Sequence, residues 1–220
     1  MHDPDKDIAT LRRFMRDLYR EAPGLRGELQ MVAITPDGPR LIHPDKKAAR
    51  AFNRQSRAFF QSAEMAKLWR QTIADCTRLK TSMYSPFFDA IFVNLLPGRT
   101  NGGFSLDWVL RHELGHALHR VDMDQYNANK QLSEMTADAF ATLHTLRENR
   151  GNVGAVEEAL ALRRQGIRRS LRGDFNTAAA IRDALTIAKT NDISAMPLDV
   201  MIALAAHAAE KACPPALVYE

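Results

Sequence analysis

Within the run RHELGHALHRVD, residues 111 to 122, two histidines and a glutamate recur at a spacing that can do chemistry. On a helix four residues advance about 400°, so His112 and His116 share one face, one turn apart, and both imidazoles can reach the same ion. Zinc favours imidazole nitrogen, and a catalytic site uses three protein ligands plus a water, which Glu113 could deprotonate for attack on a carbonyl. Two histidines do not complete such a site, so a third ligand must come from elsewhere in the chain.

Two architectures compete for that ligand. In the first, Asp122 completes HExxHxxHxxD, in the manner of chains that turn sharply after the second histidine. That turn normally needs glycine, yet His119 occupies the position. If the helix continues instead, Asp122 lies about 240° around the axis from His116. In the second, the ligand comes from the next helix, where SEMTADAFATLH offers Glu134 and Asp138 at i, i+4. One carboxylate can bind the metal while the other accepts the free N–H of a ligating histidine and fixes its tautomer. Met135, Ala137, Phe140, Ala141 and Leu143 flank these acids with apolar surface, and a buried acid needs a cationic partner. The second architecture is the stronger.

HELGH followed by EMTAD resembles the gluzincin clan of zinc metallopeptidases, which pair HExxH on one helix with ExxxD on the next. The run EMTADAFA is especially similar to small bacterial intracellular members of that clan. The resemblance covers about residues 89–147 and implies one Zn²⁺ held by His112, His116 and Glu134, with Glu113 as general base and Asp138 as the partner of a ligating histidine. It also implies an α+β, mostly helical chain: a compact core with a short sheet whose edge strand, 89–95, lines the cleft and pairs with an extended substrate. No downstream motif matches the tyrosine and histidine that stabilise the oxyanion in the clan's best-known members. Tyr126, in the loop between the two helices, and His144, late in the second, are the candidates for that task. His119 stands one turn past the site and reads either as a contact to substrate or to an acid such as Asp122, or as a partly buried, hydrogen-bonded histidine; it is not read as a ligand.

Around this pair of helices the apolar pattern sets the remaining elements. Ile8, Leu11, Met15, Leu18 and Tyr19 mark an amphipathic helix over 7–22, closed by Pro23-Gly24. LQMVAI at 29–34 reads as a strand followed by turn residues 36–39, and 45–79 as helical, with Phe52, Phe59, Phe60, Leu68, Trp69 and Ile73 supplying core. PGRTNGG, 97–103, has three glycines but no phosphate-cradle spacing, and reads as a flexible connection or lid. Ser105 should cap the HELGH helix, with Phe104 stapled onto Val109. A second helix covers 131–149, and three more follow, broken near Gly166, Gly173-Asp174 and 191–197. The expected division is a metallopeptidase core over 1–150 and a helical subdomain over 151–220.

Thirty Lys+Arg against 26 Asp+Glu leave a net +4, too mild an excess to require a nucleic-acid surface. Five of those arginines fall in RRQGIRRSLR, 163–172, where Leu160, Ile167 and Leu171 form an apolar stripe and the arginines read as the solvated face. No aromatic residues interleave to stack bases, which disfavours a nucleic-acid partner. The two cysteines, Cys76 and Cys213, form no CxxC pair, and neither a secretory signal nor a membrane span is present, so the expected location is the cytoplasm. The expected activity is endopeptidase cleavage of a protein or peptide substrate. The alternative is a zinc-containing regulatory or binding module with little turnover, which could associate with nucleic acid through the arginines of 163–172.

Overall fold

The computed structural model describes residues 4–26, 28–45, 62–119, 130–169 and 177–213. It is an α+β, mostly helical chain with a small four-stranded mixed sheet. Contacts divide it into two units, Met1–Gly102 and Gly103–Glu220. No helix among the described residues is long and apolar enough to cross a membrane. Phe52, Phe59 and Phe60 lie outside the described residues.

In the first unit, helix α1 (Pro4–Glu21) buries the expected stripe of Ile8, Leu11, Met15, Leu18 and Tyr19. The Tyr19 hydroxyl donates to the Leu29 carbonyl at 2.8 Å, which gives a buried phenol its partner. Strand β1 (Gln30–Thr35) turns at Pro36-Asp37 into an antiparallel partner, β2 (Gly38–Ile42). Gly38 takes φ +106, a conformation that side chains rarely adopt. Helix α2 (Ala63–Leu79) follows, then β3 (Met83–Ser85) and β4 (Ala90–Asn94). The strand order is β2-β1-β4-β3, with β1 and β4 parallel. These two central strands are buried along nearly their whole length, so they read as continuous apolar runs and not as alternating ones. Phe92, Phe88 and Trp69 of α2 meet edge to face at 5.0–5.9 Å over one side of the sheet.

Two expectations are corrected here. The strand foreseen at 89–95 exists, but it is not an edge: β4 is paired on both sides, and among the described residues the edges are β2 and the three-residue β3. The Gly-rich segment is tethered, with the amides of Thr100 and Asn101 both donating to the Lys80 carbonyl at 3.2 Å and Arg99 pairing with Asp7 at 2.8 Å. It is a held connection and not a free lid.

The second unit holds α3 (Leu106–His119), α4 (Lys130–Glu148), α5 (Gly154–Arg169), α6 (Ala178–Thr190) and α7 (Leu198–Ala212). Ser105 Oγ accepts the Trp108 amide at 3.2 Å, the cap the sequence predicts, and Phe104 stacks on Trp108. Every residue of α4 from Ser133 to Leu146 is buried. The helices α3, α5, α6 and α7 all touch it. A helix enclosed on all sides must satisfy its polar side chains internally. The polar residues of α4 are therefore where chemistry should be sought. Because α6 and α7 pack on α4, the contacts place no division at residue 150, and α5 runs unbroken through Gly166.

Candidate metal centre

Helices α3 and α4 cross closely, and Gly115 of HELGH permits the approach. A β-carbon built there would sit 2.9 Å from Ala137 Cα and 3.2 Å from its carbonyl oxygen, both backbone atoms that cannot swing aside. Gly115→Ala is therefore expected to cost about 1–3 kcal/mol by overpacking. By spreading the two helices it would also pull the candidate ligands apart, and any zinc uptake there should weaken about tenfold or more. Thermal unfolding and chelator competition measure the two effects.

Across this crossing, His112, His116 and Glu134 bring their ligand atoms within 4.8 Å of one another. His112 Nε2 lies 3.1 Å from His116 Nε2 and 3.5 Å from a Glu134 oxygen, and His116 Nε2 lies 3.8 Å from the other oxygen. A tetrahedral ion with bonds of about 2.0–2.1 Å sets its ligands about 3.3 Å apart, so these three edges already approximate one face of such a site. The donor set of two imidazoles and a carboxylate is chemistry that suits zinc. These are the residues the sequence predicts as ligands, brought together from two helices.

The other ring nitrogens are held as well. His112 Nδ1 lies 2.7 Å from Asp138 Oδ1, and His116 Nδ1 lies 3.1 Å from Ser133 Oγ. With Nδ1–H donating to these acceptors, each Nε2 lone pair faces the common point, which fixes the tautomer a metal needs. Asp138 takes the position expected of it, while Ser133 was not foreseen. Neighbouring charges and burial set how these three groups titrate. Burial opposes a charge on His112, but Asp138, by charge and hydrogen bond, and Glu134 outweigh it and raise the imidazole to about 10. Burial and the charge on His112 push His116 down to about 4. Against its own burial, Glu134 is held down to about 2 by its bond to His112 and the charges of His116 and His112. A cation taken up here would have to displace the His112 proton, so its binding would strengthen as pH rises toward that value.

Asp138 has no exposed surface and four hydrogen bonds. Besides His112, Arg163 of α5 forks onto it, with Nε donating to Oδ2 at 2.6 Å and Nη2 to Oδ1 at 2.9 Å, and Thr177 Oγ1 donates to Oδ2 at 2.5 Å. Arg163 also lies 4.6 Å over the Phe104 ring. This corrects the reading of the arginine run as an outward face. Arg163 is turned inward, Arg164 is exposed, and the side chains from 166 onward in that run lie outside the described residues.

Glu113, the expected base, is buried beside His112 on α3 and lies within electrostatic reach of Arg163. His119, at the end of α3, is partly buried, and burial lowers its pKa against the opposing charge of Glu210. His144 is ten residues beyond Glu134 on α4, about 15 Å along the axis. Its Nδ1 accepts from Arg111 Nε at 3.0 Å, and its Nε2 is 3.1 Å from Arg147 Nη2. Burial and the two guanidinium charges keep it neutral. The structure thus does not bring His144 to the trio, whereas Tyr126 and Asp122 fall outside the described residues. Compared with known protein families, curated proteins and solved structures, the chain matches none of them.

Proposed function

We propose that this chain is a zinc-dependent metallopeptidase that hydrolyses internal peptide bonds of a protein substrate. The observation that carries the reading is the convergence of His112, His116 and Glu134 at near-tetrahedral spacing, with a glutamate immediately beside the first histidine. Bound at that point, zinc supplies Lewis acidity, polarising the substrate carbonyl and making water a nucleophile near neutral pH. Glu113 takes the proton from the attacking water and returns it to the departing amine, so one carboxylate serves as base and then as acid. Asp138 and Ser133 hold the imidazoles in the tautomers this arrangement requires. The enclosing apolar side chains of α4 keep the dielectric low, which strengthens every charge interaction there.

The test is hydrolysis of an unfolded protein by the full-length chain. Cleavage at internal sites that stops on chelation and returns with added zinc supports the reading. Tight zinc binding with no cleavage of unfolded substrates would overturn it and favour a zinc-containing binding module.

A further inference from the structure

Two helices outside the ligand pair end on the same carboxylate. Arg163 belongs to α5, and Thr177 immediately precedes α6, yet both donate to Asp138, whose remaining capacity goes to His112. A carboxylate has about four acceptor sites, and here all four are taken. Thr177, like Asp138, has no exposed surface. Arg163 is pinned from a second side by Phe104, which stacks in turn on Trp108 of α3. The oxygen that meets His112 Nδ1 is thereby fixed by residues 25 and 39 positions away in sequence.

We infer that Asp138 couples occupancy of the metal position to the docking of α5 and α6, with Arg163 and Thr177 as positioning residues that act on the metal through Asp138 and His112. The inference rests on the metal reading above. Its physical basis is that a ligating imidazole is only as well aimed as its acceptor, and removing such an outer partner weakens metal binding about 10- to 100-fold. Coupling is reciprocal, so a cation that holds His112 in place must also hold Asp138, and with it α5 and α6. Arginine suits the task because its planar fork fixes both oxygens at once, which a lysine ammonium cannot do.

The experiment uses the full chain and Zn²⁺ alone. Zinc affinity is measured by chelator competition for the parent and for Arg163→Ala, Arg163→Lys and Thr177→Val. Amide exchange across 154–169 and 178–190 is followed with and without the ion. Expected are a tenfold or greater loss of affinity in Arg163→Ala, a smaller loss in Arg163→Lys and Thr177→Val, and zinc-dependent slowing of exchange in both C-terminal segments of the parent. In Arg163→Ala the slowing should persist in 106–119 and 130–148 and vanish from 154–169. A purely structural role would change exchange equally with and without zinc. If Arg163→Ala does not fold, the two milder variants decide. Parent-like zinc affinity in folded variants, or zinc protection confined to α3 and α4, overturns the inference alone. A parent chain that binds no zinc overturns both the inference and the metal reading.

Discussion

Asp138→Ala is expected to destabilise the helical unit by about 3–5 kcal/mol, because it strips its counter-ion from a buried guanidinium. Arg163 has only 15% of its side chain exposed and directs two donors at this carboxylate, so the alanine variant takes away the acceptor of both where little water reaches. Thr177 and His112 lose their acceptor in the same step. A double variant, Asp138→Ala with Arg163→Leu, should recover a large part of the loss, since it removes the stranded charge along with its partner. The same carboxylate predicts acid sensitivity. Burial favours its neutral form, but the charges of Arg163 and His112 outweigh burial and hold its pKa well below the ordinary range. A depressed folded-state pKa contributes stability that is complete above the unfolded value, about 3.9, and fades as pH falls below it. Denaturant midpoints measured from pH 6 to 3 should fall in the parent and stay flatter in Asp138→Ala.

Glu113→Gln is expected to abolish the proposed hydrolysis while leaving metal content unchanged. The substitution preserves size and shape while removing the charge, and Glu113 is not one of the three groups that converge as candidate ligands. It removes the one property the proposed reaction needs from this side chain, a carboxylate that accepts and returns a proton. General acid–base contributions run about 10²- to 10⁴-fold, so a drop in kcat of at least a hundredfold with parent zinc stoichiometry is the expected outcome. Activity equal to the parent would remove Glu113 from the mechanism.

The two helices that carry the His112, His116 and Glu134 trio were legible because their information is local. Ser105 caps α3, HELGH places two imidazoles on one face, and the apolar neighbours of Glu134 and Asp138 marked these acids as enclosed. Position within the sheet is not local information. Strand β4 looks the same in sequence whether one side or both are paired, and β2 carries Gly38, Pro39 and Arg40 where strand-favouring residues would announce it. A proline is tolerated there because β2 is an edge. Arg163 was misread by its company. Set among arginines it passed for solvated surface, although it is three residues after Leu160 and four before Ile167, on the apolar stripe itself. A cation on such a stripe signals a buried acid to meet it. Gly115 left a similar trace, as a glycine inside a helix has no conformational reason to be there and points to a close crossing.

The central claim is that two imidazoles of α3 and one carboxylate of α4 bind a single divalent ion, and its most direct test is zinc content. After dialysis against trace zinc, elemental analysis of the parent should give one ion per chain, and Glu134→Ala, still helical by circular dichroism, should retain almost none. A parent chain that emerges without zinc, or a Glu134→Ala variant that keeps it as tightly, would contradict the account.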